Sequence, residues 1–137
     1  MAVIAGGSEG VGVAYAMELA KRGPDLALIA RKPGPLEETA EKVRMAFPAR
    51  KVLTLAADLS TANAANRIVA LTGEREVGLL IYNAGASSRS GDFLDGDLEF
   101  AKSLLAVNAS TMMALVHAFG RSHVVHLDTT FRFNSKL

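Results

Sequence analysis

The feature that most constrains the fold is a glycine-rich turn between a short apolar run and a helical pattern near the start of the chain. The apolar run at residues 2–5 is typical of a buried parallel strand. Gly6 then allows a tight turn, Gly10 has no Cβ to hold a phosphate away, and Gly12 lets the helix pack closely against the sheet. The helix begins with unpaired N–H groups and a positive dipole end, which together favour a pyrophosphate.

These glycines alone leave two interpretations open. Glycine-rich turns connect strands to helices in many α/β proteins, so the turn is either a nucleotide site or an ordinary connection. If it is a nucleotide site, Ser8, Glu9 and Val11 belong to it as well. The residues that follow the later strands help to decide between a nucleotide site and an ordinary connection.

Hydrophobic periodicity predicts an α/β fold for the rest of the chain. Short apolar runs alternate with helical patterns, the runs at 26–30, 52–56 and 77–82 and the helices at 33–48, 62–71 and 97–119. Four buried strands with intervening helices predict a three-layer, Rossmann-type, doubly wound parallel sheet that ends after the fourth strand and its long helix. We expect residues 1–120 to form this domain and residues 121–137 to form a divergent tail.

Composition excludes several classes of function. The chain has 137 residues, half of them hydrophobic, and a net charge of +1, so it offers no electrostatic case for nucleic acid or an anionic membrane. It has no cysteine, which excludes disulfides and thiol catalysis. We expect no apolar run near the ~20 residues that span a bilayer, and no signal peptide before the first strand. The expected location is cytoplasmic.

Two cations follow the second strand at a position with chemical meaning. In dinucleotide-binding folds the residue at this point meets the adenosine ribose, and an acidic side chain there selects NAD. Here the position is Ala30, followed by Arg31 and Lys32, which suit a 2′-phosphate. Ordinary surface charge is the alternative, but the preceding glycine turn favours a preference for NADP(H) over NAD(H).

Polar residues at three later positions are further candidates. Asp58 and Leu59 follow the third strand, where an Asp is also a common turn or cap residue. Asn83 follows the fourth strand. Asn108 lies within the last helix, where an Asn is intrinsically disfavoured and usually faces solvent or bonds a turn carbonyl.

The chain resembles the short-chain dehydrogenase/reductase family. The resemblance rests on Gly6-x-x-x-Gly10-x-Gly12, on Asn83-Ala84-Gly85 after the fourth strand, and on Val107-Asn108 in the long helix. The family usually has Thr where this chain has Ala5, and Asn where it has Tyr82. Segments 14–16, 18–23 and 76–81 look closest to the branch of 3-oxoacyl-CoA reductases and 17β-hydroxysteroid dehydrogenases.

The resemblance implies hydride transfer between a nicotinamide cofactor and a ketone or secondary alcohol. Asp58 would border the adenine, Ala84 would leave room for the ribose and nicotinamide, and Asn108 would be the catalytic Asn that holds a water in the proton relay. The long helix helps to form the dimer surface in full-length relatives, so a homo-oligomer is possible. The implied cofactor-binding set is Gly6, Ser8, Glu9, Gly10, Val11, Gly12, Arg31, Lys32, Asp58, Leu59, Asn83, Ala84 and Gly85.

The family's acid–base pair is not found in this sequence. The pair occurs as Tyr-x-x-x-Lys, but Tyr15 and Tyr82 are the two tyrosines, and Leu19 and Ala86 stand four residues after them. His123 and His126 have no third ligand at convincing spacing, so we predict no metal site. We therefore expect a truncated, catalytically incomplete member. The alternatives are a non-catalytic nucleotide-binding module and an interaction fragment.

Overall fold

A computed structural model describes residues 1–86 and 93–121. Residues 122–137, which include all but the first residue of the predicted tail at 121–137 and both of its histidines, lie outside the described residues. So do residues 87–92, which belong to a polar segment at 87–96 that the sequence indicates is a loop over the cofactor. The elements in chain order are β1 (Ala2–Ala5), α1 (Val11–Arg22), β2 (Leu26–Ala30), α2 (Pro33–Ala46), β3 (Val52–Ala56), α3 (Ala64–Thr72), β4 (Leu79–Tyr82), α4 (Leu98–Leu105), a π-helical segment (Ala106–Ser110) and α5 (Thr111–Gly120), with a 3-10 turn (Phe93–Asp95) before α4.

The four strands form one parallel sheet in the order β3-β2-β1-β4. Ala2 of β1 pairs with Leu26 on one side and Leu79 on the other, and Ala5 pairs with Ile29 and Tyr82. The strand order reverses beside β1, so the carboxyl ends of β1 and β4 flank a topological switch point. The predicted doubly wound parallel sheet is confirmed.

Helices cover both faces of the sheet and create two hydrophobic cores. Alternate residues of each strand point to opposite faces, so Ile4 joins one core and Val3 the other. The first core includes the inward faces of α1 and α2, and the second includes those of α3 and α5. The three-layer arrangement predicted from the sequence is confirmed.

Local sequence signals explain where several helices begin and end. Gly23 ends α1 with φ of 117° and donates to the carbonyls of Leu19 and Ala20. Pro33 begins α2, and the side chain of Asp97 caps α4 by accepting from the N–H of Glu99 at 3.0 Å. The helix predicted at 33–48 ends two residues earlier than predicted, and the helix predicted at 62–71 begins two residues later and ends one residue later. Differences of this size are usual because the terminal turns of helices fray.

The long helix predicted at 97–119 is interrupted by the π-helical segment. Much of the apolar side of this helix is exposed: Leu115 is fully buried, but Leu98, Leu105 and Val116 are each more than half exposed. An apolar stripe shows which face avoids water and does not show what covers it.

The expectation that no apolar run approaches the length of a membrane span is wrong for this helix. By length and composition alone, Leu98–Gly120 is long and apolar enough to cross a bilayer, with a mean hydropathy of 1.3. One helix that meets this criterion is weak evidence for a span, since core helices of soluble proteins meet it too.

Candidate cofactor-binding site

A cleft of about 340 Å³ opens at the carboxyl edge of the sheet, where the strand order reverses. Ten of the residues predicted to bind cofactor line it, together with four small or apolar residues that were not predicted. Gly10, Val11, Gly12 and Asn108 are the predicted residues outside this lining. The lining residues are Gly6, Ser8, Glu9, Ala30, Arg31, Lys32, Ala57, Asp58, Leu59, Asn83, Ala84, Gly85, Ala86 and Val107.

Two glycines allow the loop and the first helix to approach their neighbours closely. Gly6 has φ of +86°, and a Cβ there would lie 2.7 Å from the backbone nitrogen of Ala84. A Cβ on Gly12 would lie 1.9 Å from the carbonyl oxygen of Gly6. Gly12 was predicted to pack against the sheet, but its closest approach is to the loop that precedes its own helix.

The start of α1 fits a bound anion. Gly10 is the N-cap residue, and a Cβ built on it meets no heavy atom within 4 Å. The cap makes no side-chain hydrogen bond, and no acidic residue lies in the first turn. The N–H of Gly12 donates to the carbonyl of Glu9 at 3.2 Å, and the N–H groups of Gly10 and Val11 are open to a phosphate, which the helix dipole also favours.

A buried threonine of α2 supports the glycine loop from behind. The hydroxyl of Thr39, only 3% exposed, donates to the carbonyl of Ser8 at 3.2 Å. The N–H groups of Gly6 and Gly7 both donate to the carbonyl of Ile29, at 2.7 and 3.1 Å. Sequence reasoning missed Thr39, and its place on the apolar face of α2 was the signal that it points inward.

The two cations predicted to select the cofactor lie at the cleft together with two carboxylates. The ammonium nitrogen of Lys32 lies 3.6 Å from Oε1 of Glu9, across the mouth between the loop and the end of β2. Both side chains are about two-thirds exposed. Arg31 lies close enough to Asp58 to help lower the pKa of its carboxyl.

Asp58 is fixed by the residue two positions later. Its Oδ1 accepts from the backbone N–H of Ser60 at 2.9 Å and from the Ser60 hydroxyl at 2.7 Å. These bonds, more than the charge of Arg31, lower the pKa of Asp58 and keep it ionised, while partial burial acts in the opposite direction. Asp58 thus has the turn role that the sequence left open, and Asn63, not Asp58, precedes α3 as its cap.

The segment that follows β3 and lines the cleft is hydrogen-bonded to the long helix. The hydroxyl of Thr111, 6% exposed, donates to the carbonyl of Leu59 at 2.8 Å. Leu59 is itself buried and lines the cleft. This bond joins residues 52 positions apart, so no local sequence pattern signalled it.

Asn83 connects β4 to the glycine turn. Its backbone N–H donates to the carbonyl of Ala5 at 2.8 Å, which continues the parallel pairing by one residue. Its side-chain nitrogen Nδ2 donates to the carbonyl of Gly6 at 3.3 Å. The amide of Asn83 therefore holds the end of β4 beside the first glycine of the turn.

Asn108 lies in the π-helical segment and makes a reciprocal pair with one backbone unit. Its Oδ1 accepts from the N–H of Ala86 at 3.0 Å, and its Nδ2 donates to the carbonyl of Ala86 at 2.7 Å. The side chain therefore holds the segment after β4 against the helix, and its Oδ1 would lie 3.5 Å from a Cβ on Gly85. Irregular π turns of this kind are common at functional sites.

Tyr82, which stands where the family usually has Asn, has a structural role at the same place. Its hydroxyl donates to the carbonyl of Val107 at 2.6 Å, within the π-helical segment where the ordinary helical bonding is interrupted. Burial raises the pKa of Tyr82, so the phenol stays protonated and able to donate. The phenol thus contacts the helix backbone; nothing in the sequence indicated that contact.

Few other candidate catalytic or metal-binding groups occur in the part of the chain that the structure describes. Tyr15 is half-exposed on α1, away from the cleft lining. Residues 1–86 and 93–121 contain no group of three or more His, Asp or Glu side chains that could hold a metal ion. What converges at the cleft is a set of binding groups: backbone N–H donors, an ionised carboxylate and cations.

Comparison with known proteins matches the chain to one family. The model of the short chain dehydrogenase family matches residues 1–125. The very-long-chain 3-oxoacyl-CoA reductase of Caenorhabditis elegans is 34% identical over an alignment 112 positions long, which covers 78% of this chain and 35% of that protein. The chain thus spans about a third of the length of this curated relative.

Solved structures share the same fold. A 7beta-hydroxysteroid dehydrogenase superposes with a TM-score of 0.84 at 26% identity, over 88% of this chain and 46% of that one. A short-chain dehydrogenase from Sphingobium yanoikuyae, solved in complex with NADPH, gives a TM-score of 0.77 at 30% identity, over 89% of this chain and 48% of that one. The likeness covers about half of each solved chain.

Proposed function

The chain belongs to the short-chain dehydrogenase/reductase family, and from that premise we propose that it is the NADP(H)-binding portion of an oxidoreductase that interconverts carbonyl and alcohol groups. One observation carries the proposal. The cleft at the β1/β4 switch point is lined by the glycine loop that precedes α1, by the cations after β2 and by the Asn-Ala-Gly turn after β4, and the uncapped start of α1 directly follows that loop. Dinucleotides bind at this place in doubly wound folds.

Each part of the cleft suits one part of the cofactor. The N–H groups at the start of α1 bind the diphosphate, and Arg31 and Lys32 bind the 2′-phosphate of the adenosine ribose. Asp58, held ionised by Ser60, accepts from the adenine amine. The small residues Ala84 and Gly85 leave room for the second ribose and the nicotinamide, which when bound supplies or accepts a hydride.

This sequence does not contain all of the side chains that the family uses for proton transfer. Asn108 is the proposed water-holding residue of the relay, and its pairing with Ala86 fixes the amide beside Gly85. The Tyr-x-x-x-Lys pair does not occur in the 137 residues. We propose that the chain by itself binds cofactor but does not turn over ketones or secondary alcohols, since loss of a general acid alone costs about 10²–10⁴ in rate.

The exposed apolar face of the long helix favours a second candidate function, an interaction fragment. Leu98, Leu105 and Val116 are more than half exposed along one helix, and such faces usually mark contact surfaces. The strand β4 also has β1 as its one partner among the described strands. Strand edges of this kind readily pair with another chain.

Nucleotide titration and light scattering discriminate these functions. Calorimetry of the full 137-residue chain with NADPH is expected to give saturable binding, and an assay of NADPH oxidation with a panel of ketones is expected to give no turnover. Binding without turnover supports the proposal. Self-association without NADPH binding favours the interaction fragment, and turnover would contradict the catalytic incompleteness.

A further inference from the structure

The charges that line the cleft cancel, which is unexpected for a site that would hold a 2′-phosphate. Four charged side chains line it: the cations Arg31 and Lys32 and the carboxylates Glu9 and Asp58. The ammonium of Lys32 already lies 3.6 Å from a carboxylate oxygen of Glu9. An incoming phosphate dianion would therefore meet a cation that has an anionic partner.

The two carboxylates differ in how they are held. Asp58 is fixed by two hydrogen bonds from Ser60, both to Oδ1, and its pKa is lowered mainly by those bonds. Glu9 is about two-thirds exposed, and its separation of 3.6 Å from Lys32 is longer than a hydrogen bond. The side chain of Glu9 can thus be replaced at Lys32 by another anion at small cost, because exposed ion pairs contribute little.

We propose that Glu9 is a specificity-determining residue whose carboxylate competes with the cofactor's 2′-phosphate for Lys32. This inference rests on the proposed function, because it assumes that a nicotinamide dinucleotide occupies the cleft. NADPH has to displace Glu9 from Lys32 and then lies near an uncompensated carboxylate. NADH has a hydroxyl at the same place and meets neither obstacle. Glu9 therefore narrows the preference for NADPH that Arg31 and Lys32 create.

The test compares the affinities of NADPH and NADH for matched variants of the full chain. Glu9→Gln removes the carboxylate and keeps the size of the side chain. Glu18→Gln is the control, because Glu18 is also an exposed Glu of an ion pair, with Arg22, but lies on α1 outside the cleft lining. Circular dichroism checks that the variants fold alike.

E9Q is expected to bind NADPH about two- to fivefold more tightly than the parent chain at low salt, with the affinity for NADH changed less than about 1.5-fold. The gain is expected to shrink at high ionic strength, since both side chains are exposed. E18Q is expected to leave both affinities within about twofold.

A double-mutant cycle with Lys32→Gln isolates the competition. If Glu9 acts through Lys32, the gain from E9Q in the K32Q background is smaller than in the parent chain. A ratio of NADPH to NADH affinity that E9Q leaves unchanged, while both nucleotides still bind, overturns this inference alone. Failure of both nucleotides to bind every variant overturns the proposed function and this inference with it.

Discussion

The strands on either side of β1 pair with it in the same register but are covered very differently. Leu26 of β2 and Leu79 of β4 both lie opposite Ala2, yet Leu26 is fully buried and Leu79 is 41% exposed. On the β2 side, α1, α2 and β3 close the core within this chain. On the β4 side, the outer strand edge and much of the long helix are open among the described residues. The β2 half of the sheet is therefore self-contained, and the β4 half is not.

The largest expected difference between the two halves is in core stability. Leu26→Ala is expected to lower the free energy of unfolding by about 2–5 kcal/mol, because it leaves a cavity in a closed core. Leu79→Ala is expected to cost about 1 kcal/mol or less, because the side chain already contacts water. Urea unfolding followed by circular dichroism measures both. Equal losses at the two positions would break the comparison.

A substitution in the glycine loop tests how closely the β2 side of the sheet is packed. Gly12→Ala places a Cβ against the carbonyl of Gly6, so the loop or the helix has to move. We expect a loss of about 1–3 kcal/mol in the free energy of unfolding and weaker NADPH binding. Gly120→Ala is the control, since a Cβ on Gly120 at the end of α5 meets no atom within 4 Å, and it is expected to be neutral or slightly stabilising. If G12A matches G120A, the loop is not closely packed.

On the open side, Tyr82 gives a smaller effect that depends on pH. Tyr82→Phe leaves the carbonyl of Val107 without its donor and is expected to cost about 1–2 kcal/mol at neutral pH. Burial raises the pKa of Tyr82 in the folded state. The stabilisation that the protonated phenol gives the fold is therefore fully present below the unfolded pKa of about 10, and it is lost as the pH rises through the higher folded pKa.

The difference in stability between the parent chain and Y82F should therefore shrink above about pH 10. Tyr15→Phe is the matched control, since Tyr15 is half-exposed on α1, and we expect it to change the free energy of unfolding by less than about 0.5 kcal/mol. A difference between the parent chain and Y82F that stays constant from pH 7 to pH 11 would contradict the raised pKa of Tyr82.

The fold was predictable because its signals are local. Each strand is a short apolar run, and the bounds of β1, β2 and β3 match the sequence interpretation to the residue; β4 begins two residues later than predicted. A glycine turn, a proline at a helix start and an aspartate cap each act within a few residues. Strand–helix alternation then determines the parallel order with few alternatives.

The site was predictable only in part, because its geometry depends on contacts between distant residues. Ten predicted residues converge on the cleft, but the bonds that hold them, from Thr39 to Ser8, from Thr111 to Leu59 and from Asn108 to Ala86, join residues 22 to 52 positions apart. The pairing of Lys32 with Glu9 likewise links a strand end to a loop. Periodicity carries no information about such pairs.

The measurement that tests the central claim most directly is an NMR titration of the full chain with NADPH, following the backbone amides. A dinucleotide bound at the switch point should shift the amides of Ser8, Gly10, Val11 and Gly12 most strongly, with further changes at Asn83 to Gly85. Amides on the exposed face of α4 and α5 should hardly change. Shifts confined to that helix face, or no shifts at millimolar NADPH, would contradict the account.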